Sequence, residues 1–401
     1  MNPSESAQFD QAAQILDRFQ IEIPSWGFAN TGTRFGKFVQ TAAASTLEEK
    51  FKDAAEVHRL TGATPTLALH VLWDLPHGLA DVSEVEALER ATGIRSGSIN
   101  PNLFQDQEYK FGSLCNPYDD IRESALQHLL DSIEIGKRLH CRDISLWLAD
   151  GSNYPGTQSI RRRIDWLQSA LQTAHQHLAR DQRLLVEYKP FEPAFYHTDI
   201  ADWGMAAHLC REAGPRAFVL VDTGHHYLSQ NIEQIVAWLL HLDLLGGFHF
   251  NDRRYADDDL TLGSIDPYQI FRIFHELCQH SQSGLTEGPL NPIAFMIDQS
   301  HNLKGKIEAM IQTVVTAQEL WLKASLVDFE KLTTLQHSCD LVAAEELFRG
   351  AFWRDVRPLA AAWRESKGMA ADPLAALREG GYVERITRER ASREASVGSY
   401  A

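Results

Sequence analysis

Eight short apolar segments, separated by stretches with helical periodicity, constrain the fold of this chain more than any other feature. The segments are rich in β-branched and aromatic residues, which predicts strands. Between them, apolar residues recur at i, i+3 and i+4, which predicts amphipathic helices. Eight alternating strands and helices imply a parallel sheet closed into a (β/α)8 TIM barrel. The predicted strands span 22–27, 65–72, 94–99, 143–148, 183–189, 217–222, 246–250 and 293–298, and the predicted helices span 9–20, 47–61, 85–91, 119–139, 160–179, 201–213, 231–241 and 267–280.

The rest of the chain predicts a second part and one unusual loop. Residues 1–300 are expected to form the barrel that carries the metal and sugar site. Residues 301–401 are almost entirely helical in pattern, and we expect this extension to pack on the barrel and on a neighbouring subunit. The connection 29–46 is too long for an ordinary loop between strand and helix. The last ~15 residues, rich in Arg, Glu and Ser, are typical of a frayed tail.

Charge and cysteine content limit the partners and the compartment. The formal net charge of -16 argues against nucleic acid and anionic membranes as partners, because both require basic patches. It also favours a neutral substrate over a multiply anionic one. Five cysteines without a CxxC pair do not form a disulfide framework. The first ten residues lack the features of a signal peptide, so we expect a cytoplasmic protein.

Acidic and imidazole side chains stand at or just beyond the ends of the last four predicted strands. In a TIM barrel these strand ends meet at the catalytic face, where such groups hold divalent metals. A set of Glu, Asp and His without Cys favours Mn, Mg or Co over a structural zinc. The residues are Glu187, Asp222, His225, His249, Asp257, Asp259 and Asp298.

The spacing of these residues predicts two metal ions that share Glu187. Two ions a few ångströms apart hold adjacent substrate oxygens and polarise a carbonyl. Asp258 is then expected to face solvent, and Gly224 to allow a sharp turn after the sixth strand. One predicted site comprises Glu187, Asp222, His249 and Asp298, and the other comprises Glu187, His225, Asp257 and Asp259.

Further residues are candidates for contact with a sugar. Lys189 lies two positions after Glu187, so both side chains point into the barrel mouth. Lys189 then faces a substrate oxygen, or alternatively forms an inward salt bridge. His70 is a candidate hydrogen-bond partner of a hydroxyl or a proton carrier, or alternatively a core histidine. Trp73 and Trp147 are candidate walls for a sugar ring, or alternatively plain core residues.

The motifs resemble a known family. The order Glu-x-Lys, Asp-x-x-His, His, Asp-x-Asp and Asp is similar to that of the xylose isomerase-like superfamily of metal-dependent sugar isomerases. The strings EYKPFEPAFYHTD, VDTGHH, FHFNDRRYADDDL and MIDQSHN look like those of L-rhamnose isomerases of the Pseudomonas type. The similarity extends to DVRPLAAAWRESKG and ADPLAALREGGYVER near the end of the chain.

This resemblance implies an activity and an assembly. It implies a homotetramer with two Mn²⁺-type ions per subunit, with Co²⁺ or Mg²⁺ as alternatives. The implied reaction moves hydrogen between C1 and C2 of an open-chain aldose, most specifically L-rhamnose to L-rhamnulose, with D-allose as another substrate. The first predicted site would be structural and hold O2 and O3, and the second would be catalytic. The implied catalytic residues are Lys189 at O1, His225, Asp298 and His70, and the implied sugar contacts are Trp147, Ser300 and, from a neighbouring subunit's loop 29–46, Phe35.

Three alternatives compete with an isomerase. A ketose 3-epimerase of the same superfamily uses one metal and a pair of Glu bases, whereas this chain ends its eighth strand with Asp298. A metal-dependent phosphodiester hydrolase of the same superfamily needs a basic face for DNA, which the net charge disfavours. A non-catalytic sugar-binding protein would not need the intact ligand set. No GxSxG motif or Gly-rich nucleotide fingerprint supports a hydrolase or a dehydrogenase.

Overall fold

The computed structural model describes residues 3–30, 38–190, 197–282, 292–300 and 303–391. Its eight strands are parallel and lie in sequential order in one sheet. The strands are β1 Ile23–Pro24, β2 Thr66–His70, β3 Arg95–Asn100, β4 Asp143–Leu146, β5 Arg183–Glu187, β6 Ala217–Asp222, β7 Leu245–Phe250 and β8 Ala294–Ile297.

Helices follow every strand. They are α1 Pro3–Arg18, α2 Leu47–Thr61, α3 Val82–Thr92, α4 Asp119–Arg138, α5 Ile160–His177, α6 Trp203–Ala213, α7 Ile232–His241, α8 Pro267–Gln282, α9 Lys306–Ser325, α10 Phe329–His337, α11 Leu341–Trp353, α12 Arg357–Ser366, α13 Pro373–Glu379 and α14 Tyr382–Arg390. Within the described ranges, no helix is long and apolar enough to cross a lipid bilayer.

The first and last strands close the sheet into a barrel. The Glu22 amide donates a hydrogen bond to the Phe295 carbonyl at 2.8 Å, and the Ile297 amide donates one to the Glu22 carbonyl at 2.9 Å. These bonds join the edge of β1 to the edge of β8. The predicted TIM barrel followed by C-terminal helices is therefore confirmed.

Inward-facing residues form three layers inside the barrel, because side chains alternate along each strand. On β5, Arg183 lies in the bottom layer, Leu185 in the middle and Glu187 at the top. Leu185 packs in an apolar cluster with Leu220 of β6 and Met296 of β8. The apolar layer therefore separates a buried charged layer at the amino ends of the strands from another at their carboxyl ends.

Strand β1 is shorter than predicted. The predicted strand 22–27 is only Ile23–Pro24, after which the chain enters a 3-10 helix over Ser25–Phe28. The side chains of Ser25 and Trp26 form hydrogen bonds with Asp74 and Asp298, which follow β2 and β8. Tertiary contacts of this segment therefore replace two further residues of strand.

The C-terminal helices extend the barrel on the outside. Helix α9 packs against α8 and α2, the position of the eighth helix of the ring. Helix α12 packs against α1, and α14 reaches α2. The division of the chain at residue 300 and the role of residues 301–401 in oligomerisation stay proposals.

Candidate metal centre

Glu187 joins two histidines at the carboxyl end of β5. Its Oε1 lies 3.0 Å from His225 Nδ1 and its Oε2 lies 3.1 Å from His249 Nδ1. All three side chains are buried. His249 Nδ1 has no hydrogen-bond partner among the described residues, so its approach to Glu187 is not along a hydrogen-bond direction. Buried polar atoms that converge without bonding to each other are typical of ligands to a cation.

Asp222 ends β6 beside this pair and is fully buried. The Gly224 amide and the Asn251 side-chain amide donate to its Oδ1 at 2.6 and 3.0 Å, which fixes the carboxylate. A Cβ on Gly224 would lie 2.8 Å from both Asn251 Oδ1 and Asp257 Oδ1. Because the φ of Gly224 is not positive, this glycine is needed for space rather than for a left-handed turn.

The loop after β7 brings acidic groups over the centre. Asp257 Oδ2 lies 2.7 Å from Lys189 Nζ and 3.5 Å from His225 Nε2, while its buried Oδ1 has no hydrogen-bond partner in the described chain. Asp259 is also buried. Asp258, expected in solvent, is half-buried, and its carboxylate accepts hydrogen bonds from the backbone amides of 254–256. The middle aspartate therefore shapes the loop that carries the other two.

Asp298 follows β8 and is the most open of these carboxylates, with a quarter of its side chain exposed (25%). Its Oδ2 lies 3.9 Å from His249 Nδ1. Its Oδ1 accepts a hydrogen bond of 2.8 Å from the indole of Trp26. One oxygen is thus held by the first strand's segment and the other faces the centre.

Crowded carboxylates perturb one another's protonation. Burial, with the charges of Glu187 and Asp257, raises the pKa of Asp222 to about 7 against the opposing effect of His225. Burial and the charges of Asp257 and Asp298 raise the pKa of Asp259 well above its usual value, which places Asp259 within the same cluster.

In contrast to Asp222 and Asp259, Glu187 and the histidines are held in their charged forms. Burial disfavours the Glu187 carboxylate, but the charges of His249 and His225 lower its pKa to about 2. Burial also disfavours charge on His249, but Glu187, Asp298 and Asp222 raise its pKa to about 9. In the metal-free centre, protons on the carboxylates and positive charges on the histidines offset the negative charge that a bound cation would offset.

Two groups of potential ligand atoms lie side by side. In each group, ligand atoms from all three members lie within 4.8 Å of one another. Asp222 is common to both groups, while Glu187 contacts both histidines. Oxygen and imidazole donors suit Mn²⁺, Mg²⁺ or Co²⁺, so these residues fit divalent cations. The groups are Glu187, Asp222 and His249, and Asp222, His225 and Asp257.

A third cluster, Cys115, Asp150 and Asp199, has a different character. Arg163 pairs with Asp199 at 2.7 Å. The amide and hydroxyl of Ser113 and the amide of Cys115 bind the two Asp150 oxygens. Because donors already satisfy these carboxylates, we interpret this cluster as structural.

An arc of aromatic side chains, here called the aromatic wall, runs from Asp298 around the barrel mouth to Lys189. Its members contact in sequence, with ring centroids 6.0 Å apart for Trp26 and His70 and 4.8 Å apart for Phe104 and Trp147. Lys189 Nζ lies 5.1 Å from the Trp147 ring centroid. Such a surface suits the apolar face of a sugar. The aromatic wall comprises Trp26, His70, Trp73, Phe104 and Trp147.

Comparison with known proteins identifies the family of this chain. A family profile described as xylose isomerase-like TIM barrel matches residues 50–279. The chain belongs to this family. A probable sugar isomerase of Mesorhizobium japonicum is 40% identical over 380 residues, which cover 94% of this chain and 87% of that protein. A probable sugar isomerase of Rhizobium meliloti is 38% identical over 377 residues, covering 93% of this chain and 86% of that protein.

A solved structure shares the fold of this xylose isomerase-like barrel. D-allulose 3-epimerase from Methylomonas sp., in complex with D-allulose, superposes with a TM-score of 0.54 at 15% sequence identity. The match covers 74% of this chain and 95% of that one. Nearly all of that enzyme thus corresponds to part of this xylose isomerase-like chain.

Three further residues predicted to contact the sugar are His70, Ser300 and Phe35. His70 ends β2, its Nδ1 lies 3.1 Å from the Val71 carbonyl, and its ring stacks on Trp73 at 3.7 Å. That hydrogen bond leaves Nε2 as the acceptor nitrogen. Ser300 is half-buried two residues after Asp298. Phe35 lies outside the described residues.

Sequence reasoning missed three residues of this family member's centre. Asn251 binds Asp222, Trp26 binds Asp298, and Phe104 completes the aromatic wall. Asn251 lies two positions after His249, just past the end of β7, and this continuation of the inward alternation is a signal that could have identified it. Trp26 and Phe104 carry no comparable signal, because their roles depend on contacts with distant strands.

Proposed function

We propose that this chain is a metal-dependent aldose–ketose isomerase that converts L-rhamnose to L-rhamnulose and also accepts other aldoses such as D-allose. The observation that carries the proposal is Glu187, which lies between His225 and His249 within a ring of buried carboxylates, with Lys189 beside it. A cavity of about 370 Å³ opens beside Lys189, His225 and Asp257, and it is lined by the loops after β6 and β7 rather than by the aromatic wall.

The reaction needs no external oxidant or reductant. The hydrogen on C2 moves to C1, and the hydroxyl proton on O2 moves to O1, so that the aldehyde becomes an alcohol and the alcohol a ketone. Two divalent ions held by the seven proposed ligands would supply Lewis acidity at adjacent substrate oxygens. Those ligands are Glu187, Asp222, His225, His249, Asp257, Asp259 and Asp298.

The chain's own residues orient the sugar and manage its charge. Lys189 Nζ offsets negative charge that develops at O1, and its pairing with Asp257 holds the ammonium near that position. His70 presents Nε2 as an acceptor for a hydroxyl proton. Burial lowers the pKa of His70 to about 4, so the ring is neutral near pH 7 and can accept a hydrogen bond from a sugar hydroxyl. The aromatic wall excludes water from the reacting carbons.

The named relatives support the chemical class. Two probable sugar isomerases match this chain along more than nine-tenths of its length. We extend the proposal to a homotetramer in which Phe35 of one subunit, together with Ser300 and Trp147 of another, lines the sugar. Residues 301–401 would pack at the subunit contacts.

One assay tests the proposal. Protein stripped with EDTA is incubated with L-rhamnose before and after addition of Mn²⁺, and L-rhamnulose is measured. We expect product only with the metal. Absence of any ketose from L-rhamnose, D-allose or L-mannose with either Mn²⁺ or Co²⁺ would refute the isomerase. Interconversion of ketoses that differ only at C3 would establish the 3-epimerase alternative instead.

A further inference from the structure

We propose that Asp74 is a positioning residue that holds the aromatic wall and the candidate ligand Asp298 in one arrangement. This inference rests on the proposed function of the centre. Asp74 lies beyond β2, and among the described residues none of its hydrogen bonds goes to a candidate metal ligand or to a ring of the wall. Its effect on the centre therefore passes through neighbouring residues.

The Asp74 carboxylate is fully buried and joins three segments. Its Oδ1 accepts a hydrogen bond of 2.6 Å from Lys50 Nζ on α2, and the lysine side chain is only 9% exposed. Its Oδ2 accepts bonds from the Ser25 hydroxyl at 2.5 Å and from the His70 amide at 2.8 Å. Lys50 compensates the buried charge, so the carboxylate can accept all three donors without an unpaired ion.

One route from Asp74 leads to Asp298. Ser25 and Trp26 are consecutive residues of the 3-10 helix after β1. The indole of Trp26 donates to Asp298 Oδ1 at 2.8 Å, across 272 residues of sequence. Anchoring the Ser25 hydroxyl fixes this helix and therefore the direction of the indole N–H. The second oxygen of Asp298 is then left to face His249, as a metal ligand oriented by an outer partner would be.

A second route leads to His70 and Trp73. The Asp74 amide donates to the His70 carbonyl at 2.9 Å, which closes a tight turn between them. Leu72, in that turn, has a φ of 78°, a left-handed conformation that is rare for a bulky side chain. Such strain persists only where the surroundings hold it. We infer that the carboxylate clamps the turn and so keeps His70 stacked on Trp73 at 3.7 Å.

Helix α2 contains a matched control. Asp53 is also buried and pairs with a cation, Arg390 Nη1, at 2.9 Å. Its other side-chain partner is the hydroxyl of Tyr382. None of these three residues belongs to the aromatic wall or to the candidate ligands. Asp53→Asn therefore removes a buried charge from the same region without touching the centre.

The experiment compares Asp74→Asn, Ser25→Ala and Asp53→Asn in the full chain. Mn²⁺ affinity is measured by calorimetry, thermal stability by circular dichroism, and the Trp26 indole N–H by ¹⁵N NMR, assigned with Trp26→Phe. We expect Asp74→Asn and Ser25→Ala to weaken Mn²⁺ binding about tenfold, the size typical of outer-partner changes, and to shift the Trp26 resonance. We expect Asp53→Asn to lower the Tm but to leave both readouts unchanged.

Wild-type Mn²⁺ affinity together with an unmoved Trp26 resonance in folded Asp74→Asn and Ser25→Ala would overturn the inference. If Asp74→Asn does not fold, the Ser25→Ala variant tests the inference instead, because it retains the ion pair between Asp74 and Lys50. If the wild-type protein neither binds Mn²⁺ nor isomerises a sugar, the proposed function fails. The Trp26 resonance still tests the positioning role in that case, since it reports the hydrogen bond to Asp298 directly.

Discussion

The two ends of the barrel interior both bury charges, but only one end satisfies them. At the amino ends of the strands, Arg183 pairs with Asp143 at 2.6 Å and donates to the Gly246 carbonyl. The Glu22 carboxylate accepts bonds from the amide and hydroxyl of Ser98. At the carboxyl ends, His249 Nδ1 and Asp257 Oδ1 have no hydrogen-bond partner within the described ranges.

The difference separates stability from function. Charges in a low-dielectric interior are tolerated when they are paired and hydrogen-bonded, as at the lower end. Five carboxylates that face two histidines and one lysine at the upper end lack that balance. A region that leaves polar atoms unsatisfied is a candidate for binding something that satisfies them. In this barrel that region coincides with the catalytic face.

The largest effect should follow from Glu187→Gln. Loss of the carboxylate between the two histidines removes an oxygen ligand from both proposed ions, so we expect activity to fall by roughly 10³-fold or more. The barrel should stay folded, because the lower end is untouched. Mass spectrometry measures the metal content of the variant, and circular dichroism checks that the barrel is still folded. Two ions per subunit in the variant would contradict the shared-ligand proposal.

A change at the lower end should act on stability alone. Asp143→Asn removes the carboxylate that pairs with the fully buried Arg183, so we expect the free energy of unfolding to fall by about 3 kcal/mol. Urea denaturation measures the loss. The activity per folded molecule should remain that of the wild type, and a fall in kcat with unchanged stability would reverse our assignment of the two ends.

Lys189→Met should affect turnover but not metal content. The variant retains the length of the side chain but loses the ammonium proposed to face O1, so we expect kcat to fall roughly 10²-fold. Metal content serves as the internal control. An unchanged kcat would remove Lys189 from the mechanism and support the alternative of an inward salt bridge with Asp257.

The pH dependence of metal binding should sharpen the comparison. In the metal-free centre the pKa of His249 is raised to about 9 and that of Asp222 to about 7. Both must lose protons before they can ligate a cation, so we expect affinity to increase as pH rises from 6 to 9. The gain should be about tenfold per pH unit for each proton released. Titration with Mn²⁺ or Mg²⁺ at three pH values checks this, and a flat profile would contradict it.

The sequence predicts the barrel because most strands can be recognised from their own residues. Strand β6 was predicted at 217–222, and it is Ala217–Asp222. Along β6, the side chains that point into the barrel end with Asp222, and along β5 they end with Glu187. Because carboxyl ends of parallel strands meet at one face, proximity of these acids follows from topology alone. Helix α2, predicted at 47–61, begins with a capping box at Thr46 and Glu49.

Features that depend on distant contacts were not predictable. A glycine inside a strand, such as Gly97 in β3, argues against a strand from sequence alone, yet the structure explains it, because a Cβ there would overlap the Glu22 carboxylate. The Trp26 bond to Asp298 and the Asp74 contacts likewise join segments far apart in the sequence. No local pattern encodes such pairings, since either residue alone looks like ordinary core.

Helix α14 has a consequence for how the chain is made. Arg390, its last residue, neutralises Asp53 on α2 across 337 residues of sequence. A ribosome that adds ~5–20 residues per second would need on the order of 20–70 s to synthesise the intervening chain. During that time α2 carries an aspartate whose native counter-charge does not yet exist. The contact between α14 and α2 can therefore form only after residue 390 has been translated, so α2 completes its native packing late in synthesis.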